Sequence, residues 1–339
     1  MACNHPLHAF DTGFLEDSGK PHYKIVGGDK EWIYKPTSRD SKECYTDLKL
    51  TKYIEVPCGK CIGCRLTYSK EWAIRCVLEA KQHEHNYFIT LTYGPETVPI
   101  NKEFGNLILE PKDLQDYMKR LRKYYEQHFN FQGIRFYACG EYGSTTQRPH
   151  YHVLGFNLPI FDIIPLKRTK TGEQLYYSPT IEKIWGKGNV WIGEVNWNTC
   201  AYVARYIMKK QKGKNAEQHY MENGEVPEFV RMSRRPGIGQ KYFEDNYEKI
   251  YLCDEIVIQK RNRQGQIEAH SVKPVRYYDK LYDKLEPENM ALIKEARQKA
   301  AIETEKLRQQ RSTKTKLEYL EQKEERMKES IKALKRNLE

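Results

Sequence analysis

Two histidines one residue apart carry the clearest chemical signal in this chain. His150 and His152 belong to residues 148–156, RPHYHVLGF, whose aromatic and apolar residues are typical of a strand. Side chains alternate between the two faces of a strand, so both imidazoles point the same way. Glu141 precedes them across a predicted turn and can add an oxygen ligand. Two imidazoles and one carboxylate leave positions open on a divalent cation, which is a catalytic rather than a structural pattern.

The same ligand set indicates which cation is preferred. Mixed nitrogen and oxygen ligation suits Mg²⁺ or Mn²⁺ in a site shared with phosphate oxygens. A lone His-x-His pair is common and often has no function, so the interpretation depends on Glu141 and on the hairpin context.

A second pair of residues could supply a nucleophile. Tyr202 and Tyr206 are four residues apart in a predicted helix, and Lys209 continues the same stripe. A tyrosine hydroxyl is ordinarily a poor nucleophile because its pKa is about 10, but a nearby cation stabilises the phenolate. A metal ion makes a neighbouring phosphorus more electrophilic. The pattern favours attack of a phenolate on a phosphodiester; for an isolated tyrosine pair, a buried core stripe is the alternative.

A third group of residues has the spacing of a metal site. Three cysteines follow the pattern C-x₂-C-x₂-C in the segment CGKCIGC, namely Cys58, Cys61 and Cys64. In a reducing compartment this spacing favours Zn²⁺, and an iron–sulfur cluster is the alternative. A tetrahedral site needs a fourth ligand, for which Cys3, Cys44 and His5 are candidates. We favour Cys3, because a zinc ion there would tie down the N-terminus.

The composition points to a polyanionic partner. The 339 residues carry a net charge of +11, and tyrosines stand beside cations, as in YMKRLRKYY at residues 117–125. Such interleaving suits single-stranded nucleic acid, because bases stack on aromatic rings and phosphates pair with cations. No apolar run approaches the ~18 residues of a membrane helix, and the N-terminus lacks the features of a signal peptide. We therefore expect a cytoplasmic protein without a disulfide framework.

A basic segment is a further candidate for contact with DNA. Arg231, Arg234 and Arg235 flank a Gly-Ile-Gly turn, whose glycines would allow close approach of a phosphate backbone. A solvated basic loop explains any one of these arginines equally well.

The periodicities predict four regions along the chain. Residues 1–65 form an irregular, cysteine-rich zinc-binding segment, 66–250 a catalytic domain, 251–282 a connection, and 283–339 a charged helical tail. Predicted helices cover 65–85, 111–128 and 200–210, and predicted strands cover 86–94, 134–143, 150–156 and 190–195. Asn198 and Thr199 are expected to cap the last helix. This order predicts an α+β fold with a mainly antiparallel sheet sandwiched by helices.

The tail leaves the oligomeric state open. Its apolar residues follow a 3–4 pattern at Leu317, Leu320, Met327, Ile331, Leu334 and Leu338. Three heptads can support a weak coiled coil. Poor periodicity over residues 294–316 favours instead a single solvated helix.

Three segments in this order resemble the motifs of the HUH endonucleases that start rolling-circle replication. They are FITLTY at 88–93, HYH at 150–152 and YVARYIMKK at 202–210, the last in a two-tyrosine form. The segments MACNHPL, PCGKCIGCR and MSRRPGIGQKYF are similar to those of replication initiators of gokushovirus-type microviruses. The motifs span residues 1–250, and the tail carries none of them.

The resemblance implies an HUH-type fold and a role for each matching residue. His150, His152 and Glu141 would hold the metal, and Thr90 and Thr92 would line the sheet near DNA. Tyr202 or Tyr206 would attack the origin, giving a 5′-phosphotyrosine and a free 3′-OH, while Lys209 neutralises the phosphate. The chain lacks a G-x-x-x-x-G-K-S/T motif, so a helicase and a DNA polymerase of the bacterial host, in whose cytoplasm it would act, are the expected partners.

Two other functions remain open at this stage. The basic and aromatic surface would also suit a zinc-stabilised, non-enzymatic protein that binds single-stranded nucleic acid. A plasmid initiator, relaxase or transposase could share the His-x-His and tyrosine motifs, although relaxases usually have a cluster of three histidines.

Overall fold

A computed structural model describes residues 3–17, 19, 21–26, 53–143, 146–169, 172–205, 218, 220–262 and 265–333. The chain forms two compact units, one of residues 1–68 with 306–335 and the other of 69–305 with 336–339. The four regions predicted from the sequence stay a prediction. None of the helices in these described stretches combines the length and apolar character needed to cross a membrane.

The smaller unit contains a three-stranded antiparallel sheet. Its strands are β1 (Leu7–Leu15), β2 (Pro21–Val26) and β3 (Tyr53–Val56), in the order β2-β1-β3. The prediction that residues 1–65 are irregular is therefore wrong for these strands. Sequence patterns missed the sheet because β1 pairs with β3, more than 40 residues further along the chain.

A seven-stranded sheet dominates the larger unit. Its strands are β4 (Asn86–Thr92), β5 (Arg135–Tyr142), β6 (Pro149–Phe156), β7 (Ile164–Arg168), β8 (Gln174–Tyr177), β9 (Val190–Glu194) and β10 (Phe229–Met232). They are ordered β10-β5-β6-β4-β9-β8-β7, and every pair is antiparallel. The predicted strands of the catalytic region lie at the centre of this sheet, and the predicted α+β class is confirmed.

Helices cover both faces of this sheet. On the first face lie α2 (Pro111–Phe129) and α3 (Pro179–Trp185), and on the second lie α1 (Ile62–Ala80) and α4 (Trp197–Arg205). The alternation of β6 explains how one strand serves both. Tyr151 and Val153 enter the core under α2, whereas Leu154 packs under α1 and α4.

The first face provides a rigid support. A stripe at 3–4 spacing on α2 is buried against the sheet, namely Leu114, Tyr117, Met118, Leu121 and Tyr125. Glu110 caps this helix by accepting from the Lys112 N–H, and Pro111 occupies its first turn. The helix predicted over 111–128 is confirmed.

The C-terminal part of the chain adds helices and a hairpin. These are α5 (Gln240–Cys253), β11 (Ile256–Arg261), β12 (Ile267–Val272), α6 (Arg276–Leu285), α7 (Pro287–Arg311) and α8 (Lys316–Ala333). The tail thus forms two helices beyond α6 rather than one. Leu334 and Leu338 of the proposed heptad pattern lie outside the described residues, so the coiled coil stays a prediction.

A buried carboxylate joins three elements of the larger unit. Glu79 at the end of α1 is 2% exposed; it pairs with Arg135 of β5 and accepts from the Gly239 N–H at 2.6 Å, just before α5. His83 Nε2 lies 3.4 Å away. Burial alone would raise the pKa of Glu79, but the hydrogen bonds and the charge of Arg135 outweigh burial and lower it.

Replacing Glu79 by glutamine should therefore lower the free energy of unfolding by about 3–5 kcal/mol, because Arg135 would stay buried without its counter-charge. The folded-state pKa lies below the usual 4.5, so the stabilisation is present above that pH and is lost as the pH falls through the folded pKa. Urea unfolding from pH 7 to 3 should show this loss in the natural protein only. The exposed Glu84→Gln variant is the control; equal acid sensitivity in both variants would contradict this role of Glu79.

Candidate active site and cysteine cluster

The register of three adjacent strands assembles a polar cluster on the second face of the large sheet. Glu141 of β5 lies opposite His150 of β6, and His152 lies opposite Thr90 of β4. All four side chains belong to the central strands β5, β6 and β4. The predicted ligands His150, His152 and Glu141 are therefore brought together.

The two imidazoles converge on one carboxylate oxygen. Glu141 Oε1 lies 3.0 Å from His150 Nε2 and 2.9 Å from His152 Nε2. The side chain of Glu141 is 0% exposed, and those of His150 and His152 are 12% and 4% exposed. The ligand atoms of the three residues lie within 4.8 Å of one another, close enough to hold one metal ion.

The outer nitrogens of both rings are held by the fold. His150 Nδ1 lies 3.1 Å from the Arg148 carbonyl, which can only accept, so this nitrogen carries the proton. His152 Nδ1 lies 3.0 Å from Thr90 Oγ1. In the neutral tautomer of His150, the Nε2 lone pair faces the carboxylate, so a proton or a cation must lie between them. Such outer contacts orient metal-binding imidazoles, so the donor set fits a divalent cation.

Electrostatics keep the carboxylate of Glu141 charged. Burial by itself would raise the pKa of Glu141. The hydrogen bonds and the charges of the two histidines outweigh burial and hold the pKa far below its usual range. An anionic oxygen is therefore available to a cation at any pH near neutral.

Helix α4 begins at a well-defined cap. Asn196 Oδ1 accepts from the N–H groups of Asn198 and Thr199 at 2.8 and 3.0 Å, and the Asn196 N–H donates to Thr199 Oγ1 at 2.9 Å. The expectation that Asn198 and Thr199 cap this helix is wrong, because the helix begins at Trp197, three residues before the predicted start. Reciprocal capping of this kind fixes where the helix starts and hence where each side chain points.

One of the predicted tyrosines lies against the metal ligands. The ring of Tyr202 on α4 is centred 5.1 Å from that of His152 in an edge-on arrangement, and 6.2 Å from that of Phe88. Phe88 in turn stacks on His152 at 5.4 Å. Tyr202 is 5% exposed. Tyr206 and Lys209 lie outside the described residues.

The remaining predicted contacts with DNA fall into two places. Thr90 bonds to His152, and the Thr92 hydroxyl donates to the Asn189 carbonyl at 3.0 Å. Arg231, Arg234 and Arg235 lie on β10 and directly after it, away from the cluster, and are exposed. The sequence missed Thr90 as a partner of His152 and Phe88 as its stacking partner, because only the pairing of β4 with β6 reveals them.

The four predicted cysteines meet in the smaller unit. The sulfurs of Cys3, Cys58, Cys61 and Cys64 lie within 4.8 Å of one another. Cys3 Sγ lies 3.7 Å from Cys61 Sγ and accepts from the Cys58 N–H at 3.3 Å. The choice of Cys3 over His5 agrees with this geometry, since the His5 ring pairs with Glu324 at 3.1 Å. Cys44 lies outside the described residues.

The thiols of this cluster differ in acidity. Burial by itself would raise the pKa of Cys61, but hydrogen bonds, among them that from the Asn4 N–H, lower it to about 6. Burial raises the pKa of Cys3 and of Cys64. Four convergent sulfurs, one of which is readily ionised, form a donor set suited to a soft metal ion.

We expect the purified protein to hold one metal ion in this cluster. Cys58→Ser should lower the metal-to-protein ratio measured by elemental analysis towards zero, because a tetrahedral site loses a ligand. The same variant should also melt at a lower temperature, since a structural metal stabilises the fold that binds it. Cys253→Ser, which changes an exposed cysteine of the other unit, should alter neither value. A full metal complement in Cys58→Ser would contradict the site.

Comparisons with known proteins point to one group. The model of a family described as replication-associated protein ORF2 matches residues 86–211, which include the histidines, Glu141 and Tyr202. The replication-associated protein ORF2 of Spiroplasma virus 4 is 37% identical over 286 residues, covering 84% of this chain and 85% of that protein. The replication-associated protein VP4 of Bdellovibrio phage phiMH2K is 32% identical over 250 residues, covering 72% and 73%. No solved structure matches the chain.

Proposed function

The chain belongs to the family of replication-associated proteins to which these phage proteins belong, and on that premise we propose that it initiates rolling-circle replication. In this proposal it nicks and rejoins single-stranded origin DNA by transesterification on tyrosine. The observation that carries the proposal is the placement of Tyr202 against His152 in the cluster of His150, His152 and Glu141. A nucleophile and a set of metal ligands then meet at one phosphodiester.

The bond changes follow from these residues. The phenol oxygen of Tyr202 or Tyr206 attacks phosphorus while the bond from phosphorus to the 3′-oxygen breaks. The phenol loses its proton to solvent and the departing 3′-oxygen gains one, which leaves a 5′-phosphotyrosine and a free 3′-OH. The second tyrosine cuts the regenerated origin, and attack of a 3′-OH on the phosphotyrosine rejoins the strand.

The protein's contribution to this step is orientation. Glu141 carries the negative charge of the cluster, and the contacts of His150 and His152 with Arg148 and Thr90 keep both Nε2 atoms directed at one point. Bound there, Mg²⁺ or Mn²⁺ would withdraw charge from the phosphate oxygens. Lys209 would neutralise the phosphate from the helix side, and in the smaller unit Zn²⁺ would hold the four cysteines.

A basic groove could guide the strand. It has a volume of about 1320 Å³ and lies between α2 and residues 231–236; seven of its lining residues are Lys or Arg and one, Glu110, is acidic. Arg231 pairs across β10 with Ala138, whose side chain enters the core under α2. The groove therefore lies on the first face, and a strand would pass round the edge strand β10 to reach the cluster. Arg231, Arg234 and Arg235 would bind phosphates there, and Thr90 and Thr92 remain predicted contacts near the cut.

The proposal also sets where the protein acts. It would work in the cytoplasm of the bacterial host, with a host helicase to unwind the duplex and a host DNA polymerase to extend the 3′-OH.

The covalent intermediate is the direct test. With Mn²⁺ and the labelled viral single strand, the protein should form an adduct that survives denaturing electrophoresis. Tyr202→Phe combined with Tyr206→Phe should lower the rate of its formation by roughly 10⁴-fold or more, because no nucleophile remains. Tyr247→Phe, a tyrosine change far from the cluster, should leave the rate unchanged. Nicking by the double variant at the natural rate would rule out these nucleophiles.

Chelation separates this proposal from simple nucleic-acid binding. EDTA should stop cleavage while anisotropy still reports binding of the strand, because the phosphate contacts of the groove need no metal. A protein that binds in both conditions and cleaves in neither would be a non-enzymatic binding protein.

The arginines should contribute through charge. Arg234→Ala with Arg235→Ala should weaken binding of single-stranded DNA uniformly across sequences and reduce the slope of log K against log salt by roughly 0.7 per lost phosphate contact. Lys249→Ala, which removes an exposed charge elsewhere, should leave the slope unchanged. An unaltered slope in the double variant would place the strand outside this groove.

A further inference from the structure

A large cavity opens beside the His–Glu cluster on the same face of the sheet. It has a volume of about 700 Å³, and its floor includes Phe88 and Thr90 of β4 and Trp191 and Gly193 of β9. Its walls include the first residues of α4 and the tip of the β11–β12 hairpin. A cavity of this size is within the range that small-molecule sites occupy.

One row of paired residues connects the cavity to the cluster. His152 lies opposite Thr90, and Thr90 lies opposite Trp191. Neighbouring strands are about 4.8 Å apart, so the backbones of His152 and Trp191 are separated by roughly 10 Å. A nucleotide whose phosphate reached the cluster would thus have a neighbouring base within reach of Trp191.

The chemistry of the cavity suits a base more than a phosphate. Two lining arginines, Arg168 and Arg261, are balanced by Glu173 and Glu194 among the described lining residues. The basic groove under α2 has almost no acidic counterpart, so the two surfaces differ in what they attract. A ligand of the cavity should be flat and close to neutral.

Trp191 offers the flat surface that such a ligand needs. Its side chain is half-buried, and Lys167 Nζ lies 5.1 Å from the ring centre, where it could pair with a phosphate attached to the bound base. Glycine at 193 keeps the floor beside the ring low, because a Cβ there would lie 3.6 Å from Phe88 and 3.8 Å from Leu175. Asn198 at the rim is exposed, and its amide has both donors and an acceptor for a base edge.

We propose that this cavity binds a nucleobase of the single strand next to the scissile phosphate, with Trp191 as its stacking surface and Asn198 as a contact to its edge. The proposal rests on the proposed function for its position relative to the cut, but not for the binding itself. Phosphate contacts fix where a strand lies, whereas contacts with bases select its sequence. Trp191 is then a residue that determines specificity and takes no part in the chemistry.

Base stacking can be measured without cleavage. A short oligothymidylate with one central 2-aminopurine should lose fluorescence when it binds the Tyr202→Phe/Tyr206→Phe protein, because the base stacks on the indole. Trp191→Leu should abolish this quenching and weaken binding by about 5- to 100-fold, the range for loss of one base–aromatic stack. Trp191→Phe should retain most of both, since it keeps an aromatic face. Phe161→Ala, which removes an exposed ring elsewhere, should change neither.

A salt titration separates the cavity from the basic groove. Trp191→Leu should leave the slope of log K against log salt unchanged, because a stacked base releases no counterion. Binding without quenching in the parent, or equal behaviour of Trp191→Leu and Trp191→Phe, would overturn the nucleobase site whether or not the protein nicks. Quenching that depends on Trp191 in a protein whose natural form never nicks would overturn the proposed function and leave the nucleobase site standing.

Discussion

The structure of the site depends on one interaction, the pairing of the buried Glu141 carboxylate with two imidazoles. An isolated buried charge is very costly, so this carboxylate is tolerable only when positive charge faces it. His150 and His152 provide that charge as imidazolium rings or hold a cation that does. The hairpin of β5 and β6 must therefore keep one register, since a slip by one residue would turn both rings away from Glu141.

The two faces of the large sheet divide the work between them. The first face is a packed aromatic and aliphatic core, in which Tyr151 and Trp185 are fully buried. That packing holds the backbone of β6, so that its alternate residues can present polar groups on the second face. There Phe88 and Tyr202 enclose His152 on two sides, which lowers access of water to the ligands. A rigid core thus supports a site whose ligands would otherwise repel or drift apart.

Charge distinguishes the surfaces on which a nucleic acid could lie. The groove under α2 is strongly basic and suits any phosphate backbone, whereas the cavity beside Thr90 has balanced charges and an indole. Affinity and selectivity would then reside on different parts of one unit. The cysteine cluster belongs to the other unit, where it joins Cys3 to residues 58–64 without a disulfide. Its contribution is therefore to local folding, and the metal ligands of the large sheet do not depend on its sulfurs.

The sequence by itself determined the elements whose signals are local. Alternation in residues 150–156 placed both histidines on one face, the spacing of α2 gave its buried stripe, and the cysteine triad pointed to a fourth thiol at Cys3. The tertiary structure decided which distant segments meet: Thr90 opposite His152, Tyr202 against that ring, Trp191 in the next strand, and the sheet of β1 with β3. The physical reason is that periodicity is written within a few consecutive residues. Strand order and register depend instead on burying apolar surface across the whole fold, which no short segment specifies.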